Sequence, residues 1–173
     1  QLALTLAQKY NGEIICADSR QIYRFLDIGS AKPTLAEREE IPHHLFDLLT
    51  PDHTLTVAQY KEAAEECLAQ IQERGNLPIL VGGTGLYIKA LLYDYQIPKV
   101  PPMKEFRQQL LEEETNQKGI LYNKLNVIDP ITAQRIHMND LRRIIRAIEV
   151  YEFTRQPFSF WQQKEDRPRF PVI

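Results

Sequence analysis

Apolar residues in the first hundred positions follow two alternating patterns. Residues 2–10 carry them at helical spacing, and Asn11 and Gly12 follow as a helix stop. Residues 13–17 and 78–81 are short, mostly apolar runs, which predicts two buried strands. Short buried strands that alternate with helices are typical of a parallel sheet covered on both faces. The first part of the chain is therefore predicted to have an α/β fold.

A longer helix is predicted to begin at Thr56. Its hydroxyl can accept a hydrogen bond from the start of the helix, and Gln59 stands three residues later, as in a capping box. An apolar stripe follows until Gly75, which ends the helix. The second strand then leads directly into a glycine-rich turn, residues 82–85, and into a helix over residues 86–93.

The pattern changes after a group of prolines that begins at Pro98. Every periodic segment beyond them has helical spacing, and no strand pattern returns before about residue 170. Asp129 and Pro130 are typical of a helix start, and the last long helix is predicted to begin near Asn139. We predict three parts: a partial α/β core over residues 1–98, a helical subdomain over residues 99–155, and a return segment toward the core over residues 156–173.

Composition narrows the functional classes. Hydrophobic residues make up 43% and charged residues 25%, as in ordinary globular proteins. The formal charge of -2 excludes a protein that is basic throughout, so any RNA contact must come from a local basic face. No apolar run is long enough to cross a membrane and no signal-peptide pattern is found, which indicates a cytoplasmic protein. Cys16 and Cys67 are predicted to be core residues, because no metal or disulfide spacing surrounds them.

A polar segment follows the first predicted strand. Ligands of parallel α/β sheets bind beyond the carboxyl ends of the strands. Asp18, Ser19, Arg20 and Gln21 stand there and offer a proton acceptor beside donors for a phosphate or a base edge. A solvated turn would have the same composition, so this segment alone does not decide the function.

The glycine turn follows the second predicted strand. Gly83 and Gly85 would let the backbone approach a ligand closely, and the amides at the start of the next helix attract anions. The turn is not a Walker A loop, because the required glycines followed by Lys and Ser or Thr occur nowhere in the chain. A tight strand-to-helix turn without a ligand is the alternative.

Basic residues concentrate near the last long helix. The cluster consists of Arg135, His137, Arg142, Arg143 and Arg146. The three arginines at positions 142, 143 and 146 are predicted to project away from the apolar stripe, as a phosphate-binding face would. A solvated face in which Arg146 pairs with Glu149 is the alternative.

Two further polar features lie between the predicted strands. Lys32 could contact a phosphate, although an ordinary surface lysine is the default expectation. His43 and His44 are adjacent, and on an extended chain they point to opposite sides. A metal shared by the two histidines is therefore not expected.

Six segments, in this order, resemble the motifs of the tRNA dimethylallyltransferase family. They are residues 18–23 (DSRQIY), 27–33 (DIGSAKP), 42–45 (PHHL), 82–87 (GGTGLY), 135–140 (RIHMND) and 143–149 (RIIRAIE). Each segment is a weak signal alone, but together they cover residues 18–149 and are highly specific.

The resemblance implies a fold and a reaction. The fold would be a P-loop NTPase-like parallel sheet with a helical, tRNA-binding insertion. The reaction would transfer a dimethylallyl group from dimethylallyl diphosphate to the exocyclic amine of the adenosine just 3′ of the anticodon. The implied partners are the tRNA anticodon stem-loop and dimethylallyl diphosphate, with neither DNA nor a membrane, and Mg²⁺ is the implied cofactor.

The resemblance also implies roles for individual residues. Asp18 would be the general base, Thr84 would line the channel where the substrates meet, and Arg107 would face the diphosphate together with the glycine turn. Ser19, Arg20 and Gln21 would hold the flipped base. The residues implied to contact tRNA are Gln134, Arg135, Ile136, His137 and Met138, beside the arginines at positions 142 and 143.

The chain departs from the family pattern at its beginning. The family's phosphate-binding loop, which ends in Gly-Lys-Ser or Gly-Lys-Thr, should precede the first helix, and the chain starts after it. The region after residue 155 also looks short. We therefore expect the 173-residue chain alone to be inactive in prenyl transfer.

Three other functions fit parts of the pattern. An adenine-nucleotide isopentenyltransferase would share the Asp18 segment but have less use for the basic cluster. A nucleotide kinase with a similar core is a more distant alternative. A non-catalytic tRNA-binding remnant would keep only the RNA contacts.

Overall fold

A computed structural model describes residues 1–93, 95–162 and 167–172. The chain divides into two compact units. We call residues 1–94 with 166–173 the core unit, and residues 95–165 the helical unit. The described residues 167–172 join the core unit, where the Arg169 amide donates to the carbonyl oxygen of Leu92 at 2.8 Å.

The core unit alternates helices with parallel strands. Its elements are α1 (Leu2–Tyr10), β1 (Gly12–Cys16), α2 (Leu35–Glu40), β2 (His43–His44), α3 (Val57–Glu73), β3 (Leu77–Val81) and α4 (Gly85–Leu92). The strands form a parallel sheet in the order β2-β1-β3, in which Ile14 lies opposite His43 on one side and Ile79 on the other. The predicted α/β fold with a parallel sheet is confirmed, whereas α2 and β2 were not predicted.

Local sequence signals explain where these elements begin and end. Asn11 adopts the left-handed conformation that ends α1, with φ 51° and ψ 52°. Thr56 and Gln59 form the predicted capping box at the start of α3, since each side chain accepts the other residue's backbone amide. Both features depend only on neighbouring residues, and for this reason the sequence predicts them correctly.

The central strand is buried along its whole length. All five residues of β1 are buried, and Ile15 and Cys16 pack into a core with Tyr60 and Leu91 from the helices. Ile14 packs into a second cluster with Ala7 of α1. The cysteine predictions are confirmed: both thiols are free, Cys16 is fully buried and Cys67 packs against the same core. Burial raises the pKa of the Cys16 thiol to about 11.

A buried glutamate lies in this strand. Glu13 is 3% exposed and accepts hydrogen bonds from Arg74 at 2.9 and 2.8 Å, from Asn76 at 2.7 Å and from His44 at 2.5 Å. The hydrogen bonds from Arg74 are the main reason why the pKa of Glu13 falls to about 2. His44 is thus bound to a carboxylate, and His43 contacts the carbonyl oxygen of Ile41 instead.

Lys32 is not a surface residue, so the default expectation for it is wrong. Its side chain is 2% exposed, and its ammonium contacts the Tyr23 carbonyl oxygen, Asp27 and Asp47, each at 2.7 Å. Asp47 also accepts from Arg38 at 2.5 Å. An ammonium group has three donors and all three are used here, so Lys32 is a structural brace and has no donor left for a phosphate.

The helical unit contains five helices in its described part. They are α5 (Lys104–Asn116), α6 (Ile120–Ile128), α7 (Pro130–Arg135), α8 (Leu141–Thr154) and α9 (Phe158–Trp161). Leu110, Leu121, Leu125 and Ile144 are buried where the longer helices pack together. The predicted start of α7 is confirmed, because the Asp129 carboxylate accepts the Thr132 amide at 3.0 Å and Pro130 occupies the first turn.

A second buried glutamate organises this unit. Glu149 is fully buried and accepts hydrogen bonds from Arg107 at 2.7 Å twice, from Arg146 at 2.6 Å and from the Met103 amide at 2.7 Å. Burial alone would raise its pKa, but these hydrogen bonds outweigh burial and lower the pKa to about 2.

The pairing corrects the prediction for Arg146. Its guanidinium does not project from an exposed face, because it also donates to the Val100 carbonyl oxygen at 3.0 Å. The pair with Glu149 that the alternative included is confirmed, but it is not part of a solvated face, because Glu149 is fully buried. No helix in the described part of the chain is both long and apolar enough to span a membrane.

Candidate active site

Two loops meet at the carboxyl ends of β1 and β3. The strands run parallel with Cys16 opposite Val81, so the segments that follow them leave the sheet at the same edge. The Ala17 amide donates to the Val81 carbonyl oxygen at 2.7 Å, and the Thr84 amide donates to the Ala17 carbonyl oxygen at 3.0 Å. We call residues 17–21 and 82–85 together the strand-end site.

Asp18 is the carboxylate of this site. Its Oδ1 accepts the Arg20 amide at 2.8 Å and the Gln21 amide at 3.4 Å, which fixes the side chain in a turn. Its Oδ2 lies 3.4 Å from the Gly83 amide, at the long end of the hydrogen-bond range. Asp18 is half-buried and faces the glycine turn, and Oδ2 keeps acceptor capacity for a ligand.

Thr84 joins the two loops. Its Oγ1 accepts the Ser19 amide at 2.8 Å, although Thr84 stands at the position where a side chain often caps the helix. The hydroxyl hydrogen can still be donated to a ligand, because the contact with Ser19 uses only a lone pair. α4 begins at Gly85 in the same turn, and the first amides of a helix attract anions.

Gly82 is the residue that sequence reasoning missed in this turn. A Cβ atom at Gly82 would lie 2.2 Å from the backbone carbon and oxygen of Ala17, whereas one at Gly83 would lie 3.3 Å from Asp18 Oδ2. A Cβ atom at Gly85 would meet nothing within 4 Å. Gly82 differs from Gly83 and Gly85 only through its close approach to Ala17, and no local sequence pattern contains that long-range contact.

Replacing Gly82 by alanine is expected to destabilise the core unit by about 3 kcal/mol, because backbone atoms on both sides must shift. Gly85→Ala is the matched control and should change the free energy of unfolding by less than about 0.5 kcal/mol. Urea denaturation of both variants measures the difference. Equal unfolding midpoints for the two variants would contradict the contact between the turn and Ala17.

The remaining residues of the first loop differ in their contacts. The side-chain amide of Gln21 donates to the carbonyl oxygens of Ser30 at 2.7 Å and Ala31 at 3.2 Å, so it braces a neighbouring loop. Arg20 is exposed, and no contact of its guanidinium is found among the described residues. Ser19 is half-buried and contributes its amide to Thr84.

Tyr60 and Tyr87 support the strand-end site from within the core unit. Sequence reasoning did not assign them this role. Tyr60 donates its hydroxyl to the Cys16 carbonyl oxygen at 2.9 Å, and its ring stacks on Tyr87 with centroids 3.8 Å apart. Burial raises the pKa of Tyr60. The stack ties α3 and α4 to the end of β1. Tyr87 lies in the GGTGLY segment, but its partner comes from a distant helix.

The strand-end site offers little to a metal on its own. Among residues 1–93, 95–162 and 167–172 no group of three or more His, Cys, Asp and Glu side chains could hold an ion. Asp18 is the only carboxylate within the two loops. These donors do not form an all-protein Mg²⁺ site, because Mg²⁺ requires near-octahedral oxygen coordination.

The predicted RNA-contact residues lie at the junction of α7 and α8. Four of them, Gln134, Arg135, His137 and Met138, are exposed, whereas Ile136 packs against the core of the helical unit. Arg142 and Arg143 are exposed on α8. The guanidinium of Arg143 lies 3.4 Å from Asp140, while those of Arg135 and Arg142 have no contact among the described residues.

Arg107, the predicted diphosphate ligand, belongs to the helical unit. Its Nε and Nη2 both donate to Glu149, in a bidentate pair. The side chain is 37% exposed, and within the described residues Nη1 has no hydrogen bond. The same hydrogen bonds to Glu149 raise the pKa of Arg107, so its guanidinium stays protonated.

The fold and the site together define the class of protein. The core unit has an α/β fold of the P-loop NTPase-like type, with polar groups gathered where its parallel strands end. Residues 21–173 match the family model described as IPPT, IPP transferase. The chain belongs to the IPP transferase family, and the resemblance to tRNA dimethylallyltransferases is confirmed.

Individual relatives agree with this assignment. A tRNA dimethylallyltransferase of Thermoanaerobacter sp. (strain X514) is 48% identical over 164 residues, which cover 94% of this chain and 52% of that protein. The crystal structure of the full-length tRNA isopentenylpyrophosphate transferase from Bacillus halodurans is 40% identical, with a TM-score of 0.55, and the match covers 90% of this chain and 52% of that one.

Another solved structure has a lower sequence identity to this chain but a more similar backbone fold. Crystallographic snapshots of a eukaryotic dimethylallyltransferase acting on tRNA give a TM-score of 0.80 at 33% identity, covering 98% of this chain and 42% of that one. The chain thus spans about half the length of the relatives it matches.

Proposed function

We propose that this protein takes part in the transfer of a dimethylallyl group from dimethylallyl diphosphate to tRNA. The acceptor is the exocyclic amine of the adenosine just 3′ of the anticodon. The observation that carries the proposal is the strand-end site, where Asp18 Oδ2 lies 3.4 Å from the Gly83 amide in a chain of the IPP transferase family. A tRNA substrate makes the cytoplasm the expected compartment.

The proposed reaction needs a base beside an anion site. The adenine amine attacks the allylic carbon, the bond from that carbon to the diphosphate oxygen breaks, and the electron pair leaves with the diphosphate. Asp18 accepts the proton that the amine loses as the new bond forms. The amides of Gly83 and Gly85 and the hydroxyl of Thr84 are the groups proposed to meet the departing negative charge.

Arg107 and Mg²⁺ belong to the proposal in narrower roles. Two nitrogen atoms of Arg107 are bound to Glu149, so Nη1 is the atom proposed to contact a diphosphate oxygen. Mg²⁺ is proposed to bind chiefly through diphosphate oxygens and water, because the described side chains form no cation cluster.

The base must leave the stacked anticodon loop before Asp18 can reach it. Ser19, Arg20 and Gln21 are proposed to border the flipped adenine. In the helical unit, the exposed surface at Gln134, Arg135, His137 and Met138, with Arg142 and Arg143, is proposed to bind the phosphates of the stem-loop. Ile136 packs against the hydrophobic core of the helical unit and so supports this surface.

The deciding experiment compares acceptors. The full-length gene product is incubated with labelled dimethylallyl diphosphate and either an anticodon stem-loop or AMP. Transfer to the stem-loop alone is expected. Preferred transfer to AMP would establish an adenine-nucleotide isopentenyltransferase instead, and RNA binding without transfer would indicate a non-catalytic tRNA-binding protein.

Arg142→Ala is expected to weaken binding of the stem-loop and to reduce the slope of log affinity against log salt by about 1, because one phosphate contact is lost. The matched control is Arg155→Ala, which removes an exposed arginine of the same unit that is paired with Glu152 at 2.8 Å. Filter binding or fluorescence anisotropy at several salt concentrations measures both variants. An identical loss for Arg142→Ala and Arg155→Ala would argue against a specific surface at the start of α8.

A further inference from the structure

An apolar loop follows the strand-end site in the core unit. Within residues 24–31, Phe25 is 78% exposed, Ile28 is fully exposed and Leu26 is 37% exposed. Large apolar side chains grouped in this way at the surface mark a binding surface more often than isolated ones do. We call residues 24–31 the apolar loop.

The backbone at Phe25 is strained. Its φ angle is 65°, a left-handed conformation that is rare for bulky residues and carries a free-energy cost. Within the folded chain this conformation gains little packing in return, because most of the ring lies in solvent. A side chain held this way is presented outward.

The apolar loop is fixed at both ends. The Arg24 amide donates to the Leu49 carbonyl oxygen at 2.8 Å, and Gln21 binds the carbonyl oxygens of Ser30 and Ala31. Because the Gln21 amide also lies 3.4 Å from Asp18 Oδ1, a single residue connects the loop to the proposed base. The loop is therefore a braced neighbour of the site.

The charged residues near the apolar loop favour a partner that carries both negative charge and aromatic rings. Residues 20–31 contain two arginines, Arg20 and Arg24, and one acidic residue, Asp27, which is paired with the buried Lys32. The guanidinium of Arg20 has no contact among the described residues, and Arg24 uses Nε to contact the Asp47 carbonyl oxygen. An exposed aromatic ring in a loop that also carries arginines is suited to an unpaired nucleobase and its phosphate.

We propose that Phe25 is a stacking platform for an unpaired nucleobase that neighbours the reactive adenosine in the RNA loop. Ile28 extends the platform, and Arg20 and Arg24 meet the adjoining phosphates. Phe25 acts as a positioning residue and takes no part in proton transfer. The proposal rests on the proposed function, because it takes RNA as the substrate of the strand-end site.

The test uses a variant that removes the ring without harming the fold. Phe25→Gly also removes the left-handed strain, so its melting temperature should equal or exceed that of the wild type. Its affinity for the anticodon stem-loop should fall about tenfold or more, whereas Phe25→Tyr should keep wild-type affinity. Leu35→Ala, which truncates a 77% exposed apolar residue of the same unit, is the control and should bind normally.

A spectroscopic measurement detects stacking directly. In Phe25→Trp, the stem-loop should quench a larger fraction of the fluorescence than it does in the wild type, which lacks this tryptophan. A fully paired duplex of the same composition should not quench it.

Each outcome decides for or against the platform. Equal RNA affinity of Phe25→Gly and the wild type overturns it, and so does self-association of the wild type that Phe25→Gly abolishes without changing RNA affinity. If the wild type binds the stem-loop but transfers no prenyl group, the proposed function fails, and the affinity series still decides about Phe25. A wild type that does not bind RNA overturns both.

Discussion

Asp18→Asn is expected to slow prenyl transfer to the anticodon stem-loop by about a hundredfold or more, because the asparagine amide cannot accept the amine proton. The substitution keeps an oxygen atom that can accept the Arg20 amide, so the turn should persist. Single-turnover rates of the full-length gene product, with RNA affinity measured in parallel, check the prediction. The rate should fall while the affinity changes little.

The control for this experiment is a second aspartate of the core unit. Asp52 is exposed and lies outside both loops of the strand-end site, so Asp52→Asn makes the same charge change without touching the proposed base. It should retain the wild-type rate. A wild-type rate for Asp18→Asn would exclude Asp18 as the proton acceptor, even if the protein still prenylates tRNA.

Glu149→Ala is expected to destabilise the helical unit by about 3–5 kcal/mol, because it leaves Arg107 and Arg146 without their shared buried partner. Glu152→Ala is the matched control. It breaks an exposed pair with Arg155 and should cost less than about 1 kcal/mol. Urea denaturation followed by circular dichroism measures both variants, and similar midpoints for the two would refute the buried network.

The same network predicts an acid dependence of stability. The pKa of Glu149 is about 2 in the folded protein against an ordinary value of 4.5. Its contribution is therefore complete above pH 4.5 and is lost as the pH falls from 4.5 toward 2. Glu149→Ala should show a shallower loss over this range than the wild type does. Glu13 contributes in the same direction, since its pKa is also about 2.

Part of the fold could be predicted because its signals are local. The capping box of Thr56 and Gln59, the left-handed Asn11 and the cap formed by Asp129 each depend on residues a few positions apart. The meeting of Asp18 with the glycine turn was also expected, because parallel strands bring their carboxyl ends to one edge.

Features that depend on distant partners could not be predicted. The sequence predicts that Lys32 and Arg146 are exposed. In the structure, the Lys32 ammonium is paired with Asp47, and the Arg146 guanidinium donates to the Val100 carbonyl oxygen. Arg107 is paired with a glutamate 42 residues away. Charged residues are ordinarily exposed, so sequence reasoning places them in solvent unless it can see a buried counter-charge.

The hydrogen bonds that link Ala17 and Ser19 to Val81 and Thr84 have a consequence for recognition. They join the loop after β1 to the loop after β3, so the two halves of the strand-end site are held together before a ligand binds. Recognition at this edge is therefore close to lock-and-key, and the entropy of ordering these loops has already been lost during folding.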